Sequence, residues 1–300
     1  MKIYFLAIFA SVATLGLTGC GEKPETPVEK TPEPEVKKPE AAVAAAPPVY
    51  WSEVKLHEAI RKANPSYTGN GQFNISPQGE VIAVALDNCN VSDISLLKGM
   101  DLKALYLQSC PVEDISVVKG MGLIELYVEK TPLKEISALE GNTTLQKLYL
   151  SNTGVTDLTP LKGMPLTELN LAETFVKDLT PLTGLPIQML WLTGAPVEDI
   201  SPLQSCPLVS LTLHRTKVKD LSPLFGTRIQ RLHIGETPVT DLTPLSGLNL
   251  TRLVFDKDKI EKGLDGIKRM RSLREIGSKF DDSGKDLSHP AVFWSDGSAE

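Results

Sequence analysis

The most regular feature of this chain is a repeating pattern of apolar positions with a period of 21 residues, with one residue added in the copy at Leu123 and two in the copy at Leu250. Numbered from the first residue of each copy, positions 1, 4, 6, 11, 14 and 17 are apolar, and position 9 is usually Thr or Cys. A fixed period of this length is typical of an array whose coils bury their apolar rows against one another. Copies begin at Val81, Leu102, Leu123, Leu145, Leu166, Ile187, Leu208, Ile229 and Leu250.

Within one copy the pattern predicts a strand followed by a short helical turn. Leu105 and Leu107 alternate with Tyr106, which places the tyrosine on the opposite side of a strand. The later motif D-[LI]-[ST]-P-L predicts a helical start, with the hydroxyl as cap and proline in the first turn. Stacked copies therefore predict a repeat solenoid, with a curved parallel β-sheet on the concave side and short helical turns on the convex side.

The L-x-x-L-x-L core of each copy resembles the leucine-rich-repeat superfamily, and within this α/β-type superfamily the short bacterial repeats of internalin-like surface proteins. The resemblance implies that partners bind the concave face. Position 9 departs from the pattern, because the superfamily usually has asparagine there and this chain has residues such as Thr153. We expect threonine to hydrogen-bond backbone groups within the turn instead.

The ends of the array differ from its interior, as capping segments should. We expect a helix over 52–64, a hairpin from Gln72–Ile75 and Glu80–Leu86, a longer helix over 263–272 and a last strand over 273–276. Phe293 and Trp294 are candidates to fold back onto the last coil. The predicted divisions are a signal peptide at 1–19, a lipidated cysteine and linker at 20–48, an N-terminal cap at 49–80, the solenoid at 81–272, and a C-terminal cap and tail at 273–300.

The N-terminus has the three parts of an export signal: Lys2, an apolar stretch, and small residues ending at Cys20. The sequence L-T-G-C resembles the lipobox of bacterial lipoproteins, which implies acylation of Cys20; an ordinary secretory signal is the alternative. The segment from Gly21 to Pro48 is rich in Pro, Glu, Lys and Ala and predicts an unstructured spacer. We expect a lipid-anchored protein of the cell envelope, on the outer membrane or periplasmic face if the cell has two membranes.

The net charge and the spacing of reactive residues argue against several classes of function. A net charge of -6 argues against a nucleic-acid binder, and no spacing of residues suggests catalysis, a cofactor or a metal site. A column of aspartates such as Asp178 could suggest calcium, but its place before Ser/Thr-Pro fits turn capping better. Cys89 and Cys110 share position 9 in adjacent copies, so they form either a disulfide or two buried apolar side chains.

The candidate binding site is the side of the strands that faces away from the core. Position 5 carries four aromatic residues, Tyr106, Tyr127, Tyr149 and Trp191, which should form a column along the sheet. Cross-strand stabilisation is the alternative role for this column. Charged or titratable residues flank it: Glu125, Glu129, Lys147 and Glu168 in the earlier copies, and His214, Arg215, Arg231, His233 and Arg252 in the later ones. Solvated strand faces are the alternative explanation for these charges.

These features favour a membrane-anchored binding module that recognises a protein or another envelope ligand. The alternative is a structural envelope component, or the sensory part of a signalling system, that binds no ligand tightly. The ligand's identity is not encoded in the fold, because concave faces of this kind bind unrelated partners.

Overall fold

The repeats form one eleven-stranded sheet whose strands follow one another in chain order. The computed structural model describes residues 50–278 and 286–295. The first two strands are antiparallel and the succeeding pairs are parallel and in register. The strands are β1 Gln72–Ile75, β2 Val81–Ala85, β3 Ala104–Tyr106, β4 Glu125–Tyr127, β5 Lys147–Tyr149, β6 Glu168–Asn170, β7 Met189–Trp191, β8 Ser210–Thr212, β9 Arg231–His233, β10 Arg252–Val254 and β11 Glu275–Gly277.

Short 3-10 turns lie between the strands, as the repeat predicts for a leucine-rich-repeat solenoid. They span Ser95–Leu97, Ser116–Val118, Ser137–Leu139, Thr159–Leu161, Thr180–Leu182, Ser201–Ser205, Ser222–Leu224, Thr243–Leu245 and Lys257–Lys259. The leucines of the strands and turns form one continuous core, and Leu105, Leu107 and Leu161 are fully buried. Because no coil can bury this row alone, stacking supplies most of its stability.

The prediction that a Ser or Thr hydroxyl caps these turns was wrong. The aspartate two residues earlier does so, as at Asp178, whose Oδ1 accepts from the Thr180 N–H at 2.8 Å. Six further aspartates make the same bond, while several of the hydroxyls instead donate to the aspartate. The carboxylate reaches the N–H because it starts two residues upstream, a position that the Ser or Thr side chain does not have. The predicted capping role of the aspartates is confirmed.

The threonines at position 9 form a buried row of hydrogen bonds. Thr153 Oγ1 donates to the Leu150 carbonyl at 2.7 Å, and Thr131, Thr174, Thr216 and Thr237 repeat the bond in their own coils. Each hydroxyl is thereby satisfied inside the core, as a buried polar group requires. The expectation that threonine bonds backbone within the turn is confirmed.

Position 8 adopts a left-handed backbone in coil after coil, which the sequence analysis did not anticipate. Lys130 has φ 55° and Arg215 φ 57°, although neither is glycine. In this conformation the Lys130 N–H donates to the Ser151 carbonyl at 2.8 Å, which extends the sheet ladder one residue past the strand. The same geometry recurs at Asn88, Ser109, Asn152, Glu173, Gly194 and Glu236.

The N-terminal cap agrees with its prediction. Helix α1 spans Glu53–Ala63, and the Ser52 side chain caps it by accepting from the Lys55 N–H. Leu56 and Ile60 are fully buried against the first coil. Strands β1 and β2 form the expected antiparallel hairpin.

The C-terminal cap differs in one element. Helix α2 spans only Leu264–Lys268, not the predicted 263–272, because the buried Leu273 must return the chain to the sheet for β11. Helix α3 spans Pro290–Ser295 and brings Phe293 and Trp294 to 6.1 and 6.4 Å from the buried ring of Phe255, between ring centroids. The predicted return of these two aromatics onto the last coil is confirmed.

The cysteines of the array are core residues. Cys89, Cys110 and Cys206 are buried free thiols, so the disulfide alternative for the first two is not formed. Cys20, the signal and the spacer lie outside the described residues. Within the described ranges, no helix combines the length and apolarity needed to span a bilayer.

Candidate functional site

The strand face is defined here as the side chains of positions 3, 5 and 7 in each coil, which alternate with the buried apolar residues of positions 4 and 6. The strand register places Tyr106 beside Tyr127, and Tyr127 beside Tyr149. Their ring centroids are 4.9 and 4.3 Å apart, and the second pair is stacked at an interplanar angle of 12°. The ring of Tyr149 continues to Trp191 at 5.8 Å. The predicted aromatic column therefore exists as one chain of ring contacts, half-buried along its length.

A carboxylate and ammonium network holds two of the tyrosines. Tyr106 donates to Glu125 Oε2 and Tyr149 donates to Glu168 Oε2, each at 2.7 Å. Lys147 Nζ lies between the two carboxylates, 3.2 Å from Glu125 Oε1 and 3.7 Å from Glu168 Oε1. The predicted acidic residues are thus compensated locally rather than left as a free acidic surface.

The network perturbs three pKa values. Burial and the neighbouring carboxylates raise the pKa of the Tyr106 and Tyr149 hydroxyls far above the usual range, which keeps both as hydrogen-bond donors. Burial works to lower the pKa of Lys147, but Glu125 and Glu168 outweigh it and the pKa is raised. The rings are accordingly held in fixed orientations by neutral hydroxyls and a charged lysine.

Tyr149 and Trp191 lie two strands apart, with Asn170 between them on β6. The position of the Asn170 side chain explains why the two rings can still contact each other. This side chain turns along the strand: Nδ2 donates to Glu129 Oε1 at 3.1 Å, and Oδ1 accepts from the Ala172 N–H at 3.1 Å. Ser151 Oγ donates to the same Glu129 oxygen at 2.7 Å. The sequence analysis included Glu129 but missed Asn170 and Ser151, because single polar residues in a varied column carry no periodic signal.

The later coils carry the basic part of the strand face. Arg231 and Arg252 are register neighbours on β9 and β10, and Arg252 Nε donates to Glu275 Oε2 at 2.6 Å. His233 is half-buried, and burial together with the positive charges of Arg252 and its neighbours lowers its pKa to about 4. His214 is buried with Nδ1 2.9 Å from the Gly235 carbonyl oxygen, and burial lowers its pKa too.

Arg215 does not belong to this group. It occupies the left-handed position 8, and its guanidinium pairs with Glu173 two coils away. Gly194 lies between them, and a Cβ there would come within 2.5 Å of the Glu173 carboxylate. The predicted site residues therefore divide into an aromatic network, a basic group, and this separate ion pair.

A second concavity lies at the C-terminal end, where the sequence analysis predicted none. Its volume is about 660 Å³, and charged residues of both signs line it together with Phe293. Over residues 50–278 and 286–295, no three His, Cys, Asp or Glu side chains are grouped to hold a metal ion. The lining residues are Glu236, Asp256, Lys257, Asp258, Lys259, Ser278, Asp286, Ser288 and Phe293.

Comparison with known proteins supports the type of repeat. No family model and no curated protein matches this chain. An internalin (InlF) from Listeria monocytogenes is 26% identical, with a TM-score of 0.61 and coverage of 81% of this chain and 82% of that chain. Internalin C2 from the same species is 26% identical, with a TM-score of 0.55 and coverage of 67% and 92%. The chain is similar to internalins, and this likeness indicates a leucine-rich-repeat module for protein interaction.

Proposed function

We propose that this protein binds a protein partner through the aromatic network of its strand face, while a lipid on Cys20 anchors it in the cell envelope. The supporting observation is the continuous column from Tyr106 to Trp191, which is half-buried and in which hydrogen bonds hold Tyr106 and Tyr149. Rigid aromatic side chains lose little conformational entropy on binding and dominate interface energetics. The internalin-like fold favours the same role.

The stacking geometry favours a protein over a glycan as the ligand. Tyr127 has an aromatic ring on either side along the column, and so has Tyr149. A sugar that stacks on an aromatic residue needs a free ring face, whereas neighbouring rings cover both sides of Tyr127 and of Tyr149. Apolar side chains of a protein can pack against the ring edges.

A structural role without tight binding is the second candidate, because the column satisfies its own contacts. Stacked rings on neighbouring strands stabilise a sheet by up to about 1 kcal/mol per pair. A measurement of both binding and stability separates the two roles.

The test is the triple variant Y127A/Y149A/W191A of the full chain, compared with F225A. Phe225 is an exposed aromatic, 68% accessible, that follows a 3-10 turn instead of a strand. We expect the triple variant to lose envelope proteins that the wild type and F225A capture after cross-linking. Equal capture by all three proteins, with a lower melting temperature of the triple variant alone, would favour the structural role.

The anchor is tested separately by incorporation of radiolabelled palmitate in a bacterial host that processes lipoproteins. We expect C20S to lose the label and the membrane fractionation, while C206A, which changes a buried cysteine of the core, retains both. Labelled C20S protein would contradict the proposed anchor.

A further inference from the structure

We infer that the partner presents a carboxylate to Arg231 and an apolar side chain to Trp191, so that one acidic and apolar segment crosses the later coils. This inference rests on the proposed function and specifies the chemistry of its partner. It follows from the order of charges along position 3 of the strand face and from the apolar groups at positions 3 and 5.

Position 3 forms a row across eight register-paired strands. Glu125, Lys147 and Glu168 compensate one another at its beginning, and Arg252 pairs with Glu275 at its end. Arg231 lies between these groups with an exposed side chain, and no ion pair to it is found in the described ranges 50–278 and 286–295. It is therefore the position in the row where an incoming negative charge finds an uncompensated partner.

The neighbourhood of Arg231 makes its charge costly for the free protein. Arg231 and Arg252 are direct register partners, and like charges in this arrangement destabilise a sheet. Glu275 pairs with Arg252 and so compensates the charge of that arginine only. Burial, and then Arg252, His214 and Arg231, lower the pKa of His233, as expected for an imidazole beside two guanidinium groups. A carboxylate bound beside Arg231 would relieve this repulsion, and the planar guanidinium suits a carboxylate geometrically.

The strands before β9 determine where the apolar side chain of the partner segment would bind. Trp191 and Met189 are half-buried on β7. The next strand, β8, has the smaller residues Thr212 and Ser210 in the same register. His233 and Arg231 occupy these positions on β9. Two strand spacings separate β7 from β9, or roughly 10 Å. An extended peptide covers that distance in about three residues. The partner segment should accordingly carry its apolar and acidic side chains about three residues apart.

The experiment is selection of a phage-displayed random peptide library on the full chain, repeated on two charge-reversal variants. R231E removes the proposed contact, and R228E makes the same change of net charge at an exposed residue three positions before the strand. We expect wild type and R228E to enrich peptides with Asp or Glu about three residues from a large apolar residue. R231E should lose the acidic preference.

One enriched peptide is then measured by fluorescence anisotropy. Its affinity should fall roughly tenfold or more for R231E, and equally when its acidic residue is changed to the amide. Peptides that need Tyr127, Tyr149 and Trp191 but bind R231E unchanged would overturn this inference and leave the proposed function standing. Peptides that ignore both groups would overturn both. Failure to enrich any peptide on the wild type counts against the inference.

Discussion

Asn64, the C-cap residue of α1, is joined to Asp93 of the first repeat by two hydrogen bonds. Its Nδ2 donates to the Asp93 carbonyl at 2.8 Å and its Oδ1 accepts from the Asp93 N–H at 2.9 Å. The same Oδ1 accepts from the Ser92 N–H at 2.9 Å, and Nδ2 also donates to Ile60. The buried Asn64 carboxamide therefore joins the N-terminal cap to the first coil, as the backbone hydrogen bonds between strands join two coils.

We expect N64L to lower the free energy of unfolding by about 3 kcal/mol. The leucine fills the space but removes three part-buried hydrogen bonds to the backbone of Ser92 and Asp93, and each such bond contributes about 1 kcal/mol. Urea denaturation of the full chain measures the change. E58A, an exposed substitution on the same helix, should stay within about 0.5 kcal/mol of the wild type. A loss below about 1 kcal/mol in N64L would show that the junction is not held by this side chain.

The row of threonines at position 9 predicts that substitutions in two different coils will change the free energy of unfolding in opposite directions. T153V replaces a buried hydroxyl that donates to Leu150, so we expect it to cost about 1 kcal/mol. Ala195 occupies the same position without a hydroxyl, and A195T should add the missing bond and gain about 0.5–1 kcal/mol. T156V, at an exposed residue of the same coil, is the control for valine itself. A more stable T153V, or a strongly destabilised A195T, would contradict the structural role of this row.

The period of the apolar residues was enough to predict the sheet, its register and the aromatic column. A shift of one residue would exchange the buried and exposed sides of a strand, so Leu105 and Tyr106 fix their own orientations. The contacts made by the column were beyond the sequence. Glu125, Lys147 and Glu168 were candidates for ligand contact, whereas in the structure the two glutamates bind tyrosine hydroxyls and the lysine pairs with the glutamates. Asn170 was missed because its role depends on Glu129, which lies two coils earlier.

The left-handed position 8 was missed because most residues there do not favour that backbone. Asn88, Asn152 and Gly194 suit it, but Lys130, Glu173 and Arg215 adopt it as well. The coil imposes the conformation, since the N–H at this position must reach the next strand. The two asparagines and the glycine at position 8 do indicate a left-handed backbone. The charged residues at the same position in other copies hid this pattern.

Lys130 should accordingly be a site where stability can be gained. Its φ of 55° costs an ordinary side chain about 1 kcal/mol, and asparagine tolerates this region better. We expect K130N to raise the free energy of unfolding by about 0.5 kcal/mol, and the β-branched K130V to lower it by about 1 kcal/mol. K119N tests the same change at a residue with φ of -58°, where no gain is expected. If K130N and K119N behave alike, the left-handed backbone is not under strain.

His233 should make the protein less stable in mild acid. Its pKa in the folded protein is about 4, against about 6.5 in an unfolded chain, so the unfolded chain binds more protons between these values. The stability that His233 contributes is complete above pH 6.5 and falls as the pH decreases toward 4, by up to about 2 kcal/mol at pH 5. H233N cannot titrate and should lose at least about 1 kcal/mol less than wild type between pH 7.5 and 5.0 in urea denaturation. His214, whose pKa is lowered in the same direction, leaves part of the loss in place. The interval from pH 8.5 to 7.5 serves as an internal control, because it lies above the range in which the lowered pKa of His233 affects stability. Equal acid losses in H233N and wild type would mean that His233 takes up its proton without opposing the fold.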